Sequence, residues 1–234
     1  MTTARASRPA RRSERWVLAG LLLLTVVPVA AGTFRLTQLA FGAEITPENA
    51  RYFDSPLPVV LHIVSVSVFA ILGAFQFLPG LRRRRRWHRV AGRIVAPSGV
   101  VGALTGLWMT LFYPRPANDS DLLASIRIVV VLYMLVSLVL GFAAIRRRDF
   151  VRHRAWMIRG YAIGMGAGTQ VFTLLPWTVV AGTPGALPRA LLMAAAWGIN
   201  AVLAEWIIRR PARRRPGPSH RPPVVPVPAG AVAR

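Results

Sequence analysis

The chain has 234 residues, of which 54% are hydrophobic, and its formal net charge is +22. Soluble domains are usually about 45–50% apolar, so this composition is typical of an integral membrane protein. All 30 basic residues are arginines, and they occur in bursts between long apolar segments rather than on a folded polar face, which argues against a nucleic-acid-binding module. The lack of cysteine excludes disulfides, thiolate metal sites and cysteine nucleophiles.

Six segments approach the roughly 20 apolar residues that a membrane-spanning helix needs. They predict an all-α, polytopic transmembrane helix bundle within residues 16–208. The predicted spans cover residues 16–34, 57–79, 90–113, 122–145, 155–180 and 189–208. Residues 1–15 are a predicted basic N-terminal segment, and the arginine- and proline-rich residues 209–234 are predicted to be a disordered tail.

The first span has two interpretations. Its basic residues, apolar core and the small-residue run VPVAAG at residues 27–32 also describe a cleavable signal peptide. The apolar run is long for a signal core, so an uncleaved helix is the favoured interpretation. Cleavage would leave five spans and move the mature N-terminus to the other side of the membrane.

The arginines predict the orientation of the bundle. Six spans put both termini on one side of the membrane, and 25 of the 30 arginines fall on that side. The positive-inside bias makes this side cytoplasmic and the location the cytoplasmic membrane. The run Arg82–Arg86 is then a topological stop and an anchor for anionic lipid head groups, which are the predicted partners. The other side of the membrane holds the remaining five arginines and five of the eight carboxylates. They are Arg35, Arg51, Arg115, Arg127 and Arg189, with Glu44, Glu48, Asp54, Asp119 and Asp121.

Spans two and three resemble spans four and five. The stretches LGAFQFLPGLRRRRRWHRVAGR and LGFAAIRRRDFVRHRAWMIRG share a Leu-Gly, an arginine burst, a His-Arg pair and a later arginine. One interpretation is a parallel internal repeat about an axis along the membrane normal. The other is that basic loops of the same topology resemble each other without duplication.

The two returning helices, spans three and five, carry glycines at four-residue spacing, which allows close packing of helices in lipid. The spacing predicts a tight core of spans three and five. A flexible gate, a ligand channel and a homo-oligomer contact are the alternatives. The glycines are Gly102, Gly106, Gly160, Gly164 and Gly168.

Polar residues inside apolar spans are costly and therefore mark candidate sites. His62 and Arg127 lie at similar depth toward the non-cytoplasmic side, and with Gln170 they form a candidate intramembrane polar pocket. In the alternative, Arg127 extends to the outer head groups and His62 makes one interhelical hydrogen bond. Glu205 is explained by Arg209, one helical turn later, as a neutralising pair.

Two His-Arg pairs stand at the start of the helices that leave the cytoplasmic face, where free backbone N–H groups and the helix dipole favour an anion. The candidate anion- or lipid-binding residues are His88, Arg89, Arg93, His153, Arg154 and Arg159. In the alternative, these residues anchor the helices and bind no ligand. If the repeat is real, its axis brings the two histidines opposite one another, as in bis-histidine haem sites.

No catalytic motif is present: the chain has no HExxH, P-loop, GxSxG or dinucleotide fingerprint, and its carboxylates are too scattered for an acid–base pair. The prediction is a non-enzymatic membrane protein that binds lipid or a small ligand, in transport or envelope maintenance, with no expected cofactor.

The elements HRVAGRIV and HRAWMIRGYA, with a membrane histidine and a QF on one preceding helix, resemble the bacterial predicted membrane proteins of domain-of-unknown-function family 2306. The resemblance covers about residues 62–177 and implies a multi-helix integral membrane protein with no established activity. The matching positions are His62, Gln76, His88, Gly92, Arg93, His153, Arg154, Trp156 and Arg159.

The histidine-bearing helices of that family are similar to those of two-haem transmembrane cytochrome b proteins. This implies an alternative function, electron transfer through haem b, with His62, His88 and His153 as candidate iron ligands. The cytochromes use facing histidine pairs deep in the bundle, whereas in this chain only His62 lies clearly inside a span.

Overall fold

The computed structural model describes residues 12–210, which form nine α-helices and no β-strand. The helices are α1 (Arg12–Phe41), α2 (Ala50–Asp54), α3 (Pro56–Gln76), α4 (Pro79–Arg83), α5 (Arg85–Phe112), α6 (Asp121–Arg146), α7 (Phe150–Gly164), α8 (Gly166–Ala181) and α9 (Ala186–Arg209). Six spans within the described residues are long and apolar enough to cross a membrane, with α7 and α8 forming one of them. The predicted all-α, multi-pass bundle is confirmed.

The helices extend beyond the predicted spans at several ends. α1 continues to Phe41, α5 begins at Arg85 and α7 begins at Phe150, so two helices start within or directly after an arginine burst. Arginine has a high helix propensity, and its long side chain reaches the head-group region from inside a helix. The basic segment 1–15 and the tail 209–234 lie mostly outside the described residues and stay predictions.

The connections define two ends of the bundle. We call the end with the α3–α5 and α6–α7 connections the arginine-rich end, and the end with the α1–α3, α5–α6 and α8–α9 connections the arginine-poor end. Two of the connections carry a side-chain cap: the Ser120 hydroxyl accepts a hydrogen bond from the Leu123 N–H at 3.2 Å and caps α6. At the other end the Asp149 carboxylate accepts one from the Arg152 N–H at 2.9 Å and caps α7.

The most extensive helix contacts are those of α3 with α5 and of α6 with α7. These two hairpins are the units of the proposed repeat. His88 and His153 are each the fourth residue of a helix, and each donates its backbone N–H to the residue before that helix, Arg84 at 3.1 Å and Asp149 at 3.0 Å. This bond is the first one of any α-helix, so what the hairpins share is the position of the histidine, and the duplication stays a prediction.

The glycines of the returning helices pack closely, but against α3 and α6. A Cβ on Gly102 would lie 2.8 Å from Val66, and one on Gly164 would lie 2.6 Å from Phe69, both on α3. A Cβ on Gly160 would lie 3.2 Å from Leu138 on α6. The expected core of spans three and five is therefore corrected, because each returning helix packs on the helices of the hairpins rather than on the other. A homo-oligomer contact through these glycines stays a prediction.

The fifth span is interrupted at Met165, between α7 and α8. Interruption frees the carbonyl of Ala162, which an unbroken helix would bond four residues later. Asn200 of α9 donates its amide to this carbonyl at 2.9 Å and accepts a hydrogen bond from the Thr169 hydroxyl at 2.9 Å. The buried Asn200 thus compensates the break from a neighbouring helix.

α1 packs on α3 and α8 at the edge of the bundle. A Cβ on Gly32 would lie 2.8 Å from Ile63 of α3, and Gly168 of α8 faces the backbone of Leu24. Much of the remaining surface of α1 is apolar and exposed, as expected for a lipid-facing helix. Retention of this helix in the mature protein stays a prediction.

An arginine-lined cavity as the candidate functional site

A cavity of about 620 Å³ extends from the arginine-poor end into the middle of the bundle. Residues of α1, α2, α3, α5, α6, α7, α8 and α9 contribute to its wall. Its volume lies within the range of roughly 300–1,000 Å³ that small-molecule sites occupy. The cavity is therefore large enough to bind a small organic molecule or part of a lipid.

The wall changes character with depth. Toward the middle of the bundle the wall is mainly apolar, and it includes Leu24, Ile63, Val66, Phe69, Val130, Met134 and Trp197. Toward the arginine-poor end the wall becomes charged, because it includes Arg35, Arg51, Arg115, Arg127, Arg189 and Asp119. These are all five of the arginines that the sequence assigns to this end of the molecule.

Asp119 holds two of the five arginines. Its Oδ2 lies 2.5 Å from Arg127 Nη1 of α6, and its Oδ1 lies 3.0 Å from Arg189 Nε of α9. Burial disfavours the charged Asp119 carboxylate, but the hydrogen bonds and charges of the two guanidinium groups outweigh this, so the pKa of Asp119 is lowered. A third arginine, Arg115, pairs with the exposed Asp121 at the rim.

Arg35 and Arg51 are not balanced in this way. Arg35 Nη1 donates to Gln38 Oε1 at 2.7 Å, while Arg51 donates to the carbonyl of Pro114 at 3.0 Å and to the hydroxyl of Tyr52 at 2.8 Å. Within residues 12–210 neither arginine pairs with a carboxylate. The Arg51 Nε is buried and has no hydrogen-bond partner in that part of the chain.

Both unbalanced arginines stack on one aromatic ring. The guanidinium carbon of Arg35 lies 4.5 Å from the centroid of the Tyr52 ring, and that of Arg51 lies 4.7 Å from it. Such cation–π contacts hold guanidinium groups in place without neutralising their charge. We call Arg35, Arg51 and Tyr52 the arginine–tyrosine cluster.

Tyr113 fixes the position of the cluster. Its ring lies edge-on to Tyr52 at 5.6 Å, and its hydroxyl donates a hydrogen bond to the carbonyl of Ser55 at 2.5 Å. Burial raises the pKa of Tyr113, so the hydroxyl stays protonated and remains a donor. The end of α5 is thereby joined to the α2–α3 junction.

The three residues of the predicted polar pocket, His62, Arg127 and Gln170, all line this cavity. His62 Nδ1 also makes the interhelical hydrogen bond that the alternative interpretation expected, with the Gly102 carbonyl at 2.9 Å. Arg127 reaches Asp119. Gln170 Nε2 is buried without a partner in the described residues. Their role in binding stays a prediction.

The predicted anion-binding residues at the arginine-rich end lie on two helices, α5 and α7, and their role stays a prediction. Arg89, Arg93 and Arg154 are exposed, and His153 Nδ1 bonds the Gly141 carbonyl at 2.8 Å. His88 lies in the first turns of α5, on the other hairpin. The N-terminus of α7 is already capped by a carboxylate of the chain, that of Asp149.

Arg159 of this candidate set has a partner that the sequence did not indicate. Its Nε and Nη2 bind Glu205 of α9 at 2.6 and 3.1 Å, and its guanidinium stacks on Trp156 at 4.6 Å. The expected pair of Arg209 with Glu205 is also present, at 3.4 Å. Glu205 therefore links α9 to α7 through Arg159, and it links two turns of α9 through Arg209.

The three candidate haem ligands do not converge. His62 contacts Gly102, which follows His88 by 14 residues along α5, so these two histidines lie about 21 Å apart at 1.5 Å per residue. They cannot bind the same iron. Nor does any group of three or more His, Cys, Asp or Glu side chains in the described chain have the geometry to hold a metal ion. The electron-transfer alternative stays a prediction that depends on His88 and His153.

The sequence held a signal for the cavity that topology alone did not use. Arginines on the non-cytoplasmic side are disfavoured, so an arginine retained there needs a local reason. Five arginines that the sequence predicts to lie on that side are scattered along the chain from Arg35 to Arg189, and only the fold brings them to one cavity. Tyr52 and Asp119 gave no signal of their own.

A comparison with protein families gives one match. The profile of the family described as "Predicted membrane protein (DUF2306)" matches residues 59–208, which is more than half of the chain. The matched segment contains α3 to α9 almost entirely, whereas α1 and α2 lie before it. Neither a curated protein nor a solved structure matches the chain.

Proposed function

The chain belongs to the DUF2306 family of predicted membrane proteins, and from this premise we propose that it binds an amphipathic anion in the cavity. The ligand class is a small molecule or lipid with an oxyanion head group and an apolar tail. Because 25 of the 30 arginines belong to the other end, the cavity faces the outside of the cytoplasmic membrane, and both termini face the cytoplasm.

One observation carries this proposal: every arginine of the arginine-poor end lines the same cavity. Among the residues that line the cavity, these five arginines meet one carboxylate, that of Asp119, whereas the other carboxylates of the same end, Glu44, Glu48, Asp54 and Asp121, are not part of its wall. The excess positive charge attracts an anion, and charge-assisted hydrogen bonds from arginine to an oxyanion are among the strongest in proteins.

The apolar inner wall supports a tail on the ligand. A fully polar anion would leave the half-buried Val66 and Val130 facing water, whereas an alkyl chain buries them. Charged mouth and apolar interior together match a molecule with the same two parts.

Binding at the outer face suits a non-enzymatic role in uptake, transport or envelope maintenance. At the opposite face the exposed arginines, among them Arg89, Arg93 and Arg154, support anchoring to anionic head groups. Each such cation contributes about 1 kcal/mol of attraction to an anionic membrane surface.

The test is calorimetric titration of the protein in nanodiscs made of zwitterionic phosphatidylcholine. The probes are dodecanoate and dodecyl phosphate, with uncharged dodecan-1-ol of the same tail and empty nanodiscs as controls. We expect saturable binding near one molecule per protein for at least one anion and only unsaturable partitioning for the alcohol. Equal heats for anions and alcohol, or for loaded and empty nanodiscs, would contradict the proposal.

A further inference from the structure

We infer that the oxyanion head group binds at the arginine–tyrosine cluster, between Arg35 and Arg51, an inference that rests on the proposed function. The other three arginines of the cavity have carboxylate partners within the chain. Asp119 holds Arg127 and Arg189, and Asp121 holds Arg115. An incoming anion would have to displace these carboxylates, whereas at the cluster it meets no competitor.

The charges of the cluster are close together. Both guanidinium groups contact the same Tyr52 ring, at 4.5 and 4.7 Å from its centroid, so their separation is at most about 9 Å, close to the Debye length of roughly 10 Å at about 0.1 M ionic strength. Like charges at this distance repel, and the repulsion grows where apolar helices displace water. One oxyanion between them turns the repulsion into two attractions.

The hydrogen bonds of the cluster leave donors for a ligand. Arg51 uses its two terminal nitrogens for Pro114 and Tyr52, which fixes the side chain, while its buried Nε retains an unused N–H. Arg35 uses one terminal nitrogen for Gln38. A guanidinium group has five N–H donors, so both residues keep the capacity to bind an oxyanion. Prior fixation of Arg51 lowers the entropy cost of binding.

The cluster comes from a part of the chain that precedes most of the residues of the cavity wall. Arg35 lies on α1 and Arg51 and Tyr52 lie on α2, before the matched family segment at residues 59–208. The apolar wall that would hold the tail comes largely from inside that segment. Tail binding is thus a property of the family segment, and head-group recognition is supplied by α1 and α2.

The experiment repeats the nanodisc titration with Arg35→Gln and Arg51→Gln. Loss of one charge-assisted hydrogen bond weakens binding roughly tenfold or more, so we expect at least that loss of affinity for the anionic probe that the wild type binds. Comparison of dodecanoate with dodecyl phosphate tells a carboxylate site from a phosphate site. Arg147→Gln, which removes the same charge from an exposed position at the other end, is the matched control and keeps wild-type affinity.

Arg35→Gln is the more informative variant, because in the described chain the hydrogen-bond and ring contacts of Arg35 are limited to Gln38 and Tyr52. Arg35→Lys keeps the charge without the planar fork, and we expect an intermediate affinity. Wild-type affinity in both glutamine variants would overturn the inference and leave the proposed function standing. Absence of anion binding in the wild type would overturn both.

Discussion

At the scale of single residues, Asp119 and the arginine–tyrosine cluster show two ways to keep arginine at the membrane edge. Asp119 is 5% exposed and neutralises Arg127 and Arg189, which come from two different helices. Arg35 and Arg51 donate hydrogen bonds only to neutral acceptors, and both stack on an aromatic ring. Charged groups near hydrocarbon are ordinarily paired, so the first arrangement stabilises the fold and the second leaves charge for a ligand.

Replacement of Asp119 by asparagine tests the first arrangement. The variant leaves two partly buried arginines without their carboxylate, and we expect the free energy of unfolding to fall by roughly 2 kcal/mol or more. Asp121→Asn is the control, because its side chain is 94% exposed and its pair with Arg115 should contribute less than about 1 kcal/mol. Thermal unfolding in detergent measures both, and equal midpoints would contradict the role of Asp119.

The ion pairs of Asp119 also predict that the stability of the protein depends on pH. The pKa of Asp119 is lowered in the folded protein from its ordinary 3.8, so its stabilising contribution is complete above that value and is lost as the pH falls through the folded pKa. The difference in thermal midpoint between wild type and Asp119→Asn should stay constant from about pH 7 to pH 5 and shrink below pH 4. A difference that grows toward acid would show that the sign is wrong.

At the scale of helices, packing depends on close approach at glycines and on a few polar links. Phe69 is 2% exposed and its ring faces Gly99 of α5 on one side and Gly164 of α7 on the other. Asn200 compensates the interruption at Met165 from α9. The Arg159–Glu205 pair ties α7 to the same helix. The two hairpins and α9 are thus joined through a small number of named contacts.

Alanine at Gly164 should destabilise the protein. The added Cβ would lie 2.6 Å from Phe69 Cε1, and the ring has little room to retreat because its other edge packs against Gly99, where a side chain would not fit either. Overpacking of this kind costs about 1–3 kcal/mol. Gly198→Ala, at a helical position with no neighbouring atom within 4 Å, should leave the thermal midpoint unchanged or slightly raised. The prediction fails if the two variants melt together.

Lysine at Arg159 should weaken the link between α7 and α9. Arg159 binds both carboxylate oxygens of Glu205, and lysine cannot reproduce this fork or the stacking on Trp156. We expect a loss of roughly 1–2 kcal/mol in thermal or denaturant unfolding. Arg93→Lys on the exposed face of α5 should melt like the wild type. Similar midpoints for both lysine variants would mean that Arg159 serves only as a charge near the head groups.

At the scale of the whole molecule, the sequence predicts the spans well, because length, hydropathy and arginine bursts are local properties. The cavity could not be predicted in the same way. Asp119 and Arg189 are 70 residues apart, and Arg51 meets Pro114 across 63 residues. At the interruption at Met165, the Asn200 side chain donates a hydrogen bond to the Ala162 carbonyl and accepts one from the Thr169 hydroxyl. Such contacts follow from tertiary packing and leave no periodic pattern in the chain.

The orientation is open to direct labelling, since the chain has no native cysteine. Single cysteines at Ala117 and Thr183, exposed at the arginine-poor end, should react with an impermeant thiol reagent in intact cells. A cysteine at Arg147, exposed at the arginine-rich end, should react only after lysis. The reverse pattern would turn the cavity toward the cytoplasm.

The most direct test of the central claim is native mass spectrometry of the protein as purified from its membrane. Wild type should carry one anionic amphiphile, and Val130→Trp, which fills the apolar wall of the cavity, should lose it. Val129→Trp is the matched control, because Val129 is the next residue on α6, is 66% exposed and does not line the cavity. We expect the adduct in the wild type and in Val129→Trp but not in Val130→Trp. An unliganded wild type, or equal occupancy in Val130→Trp, would contradict it.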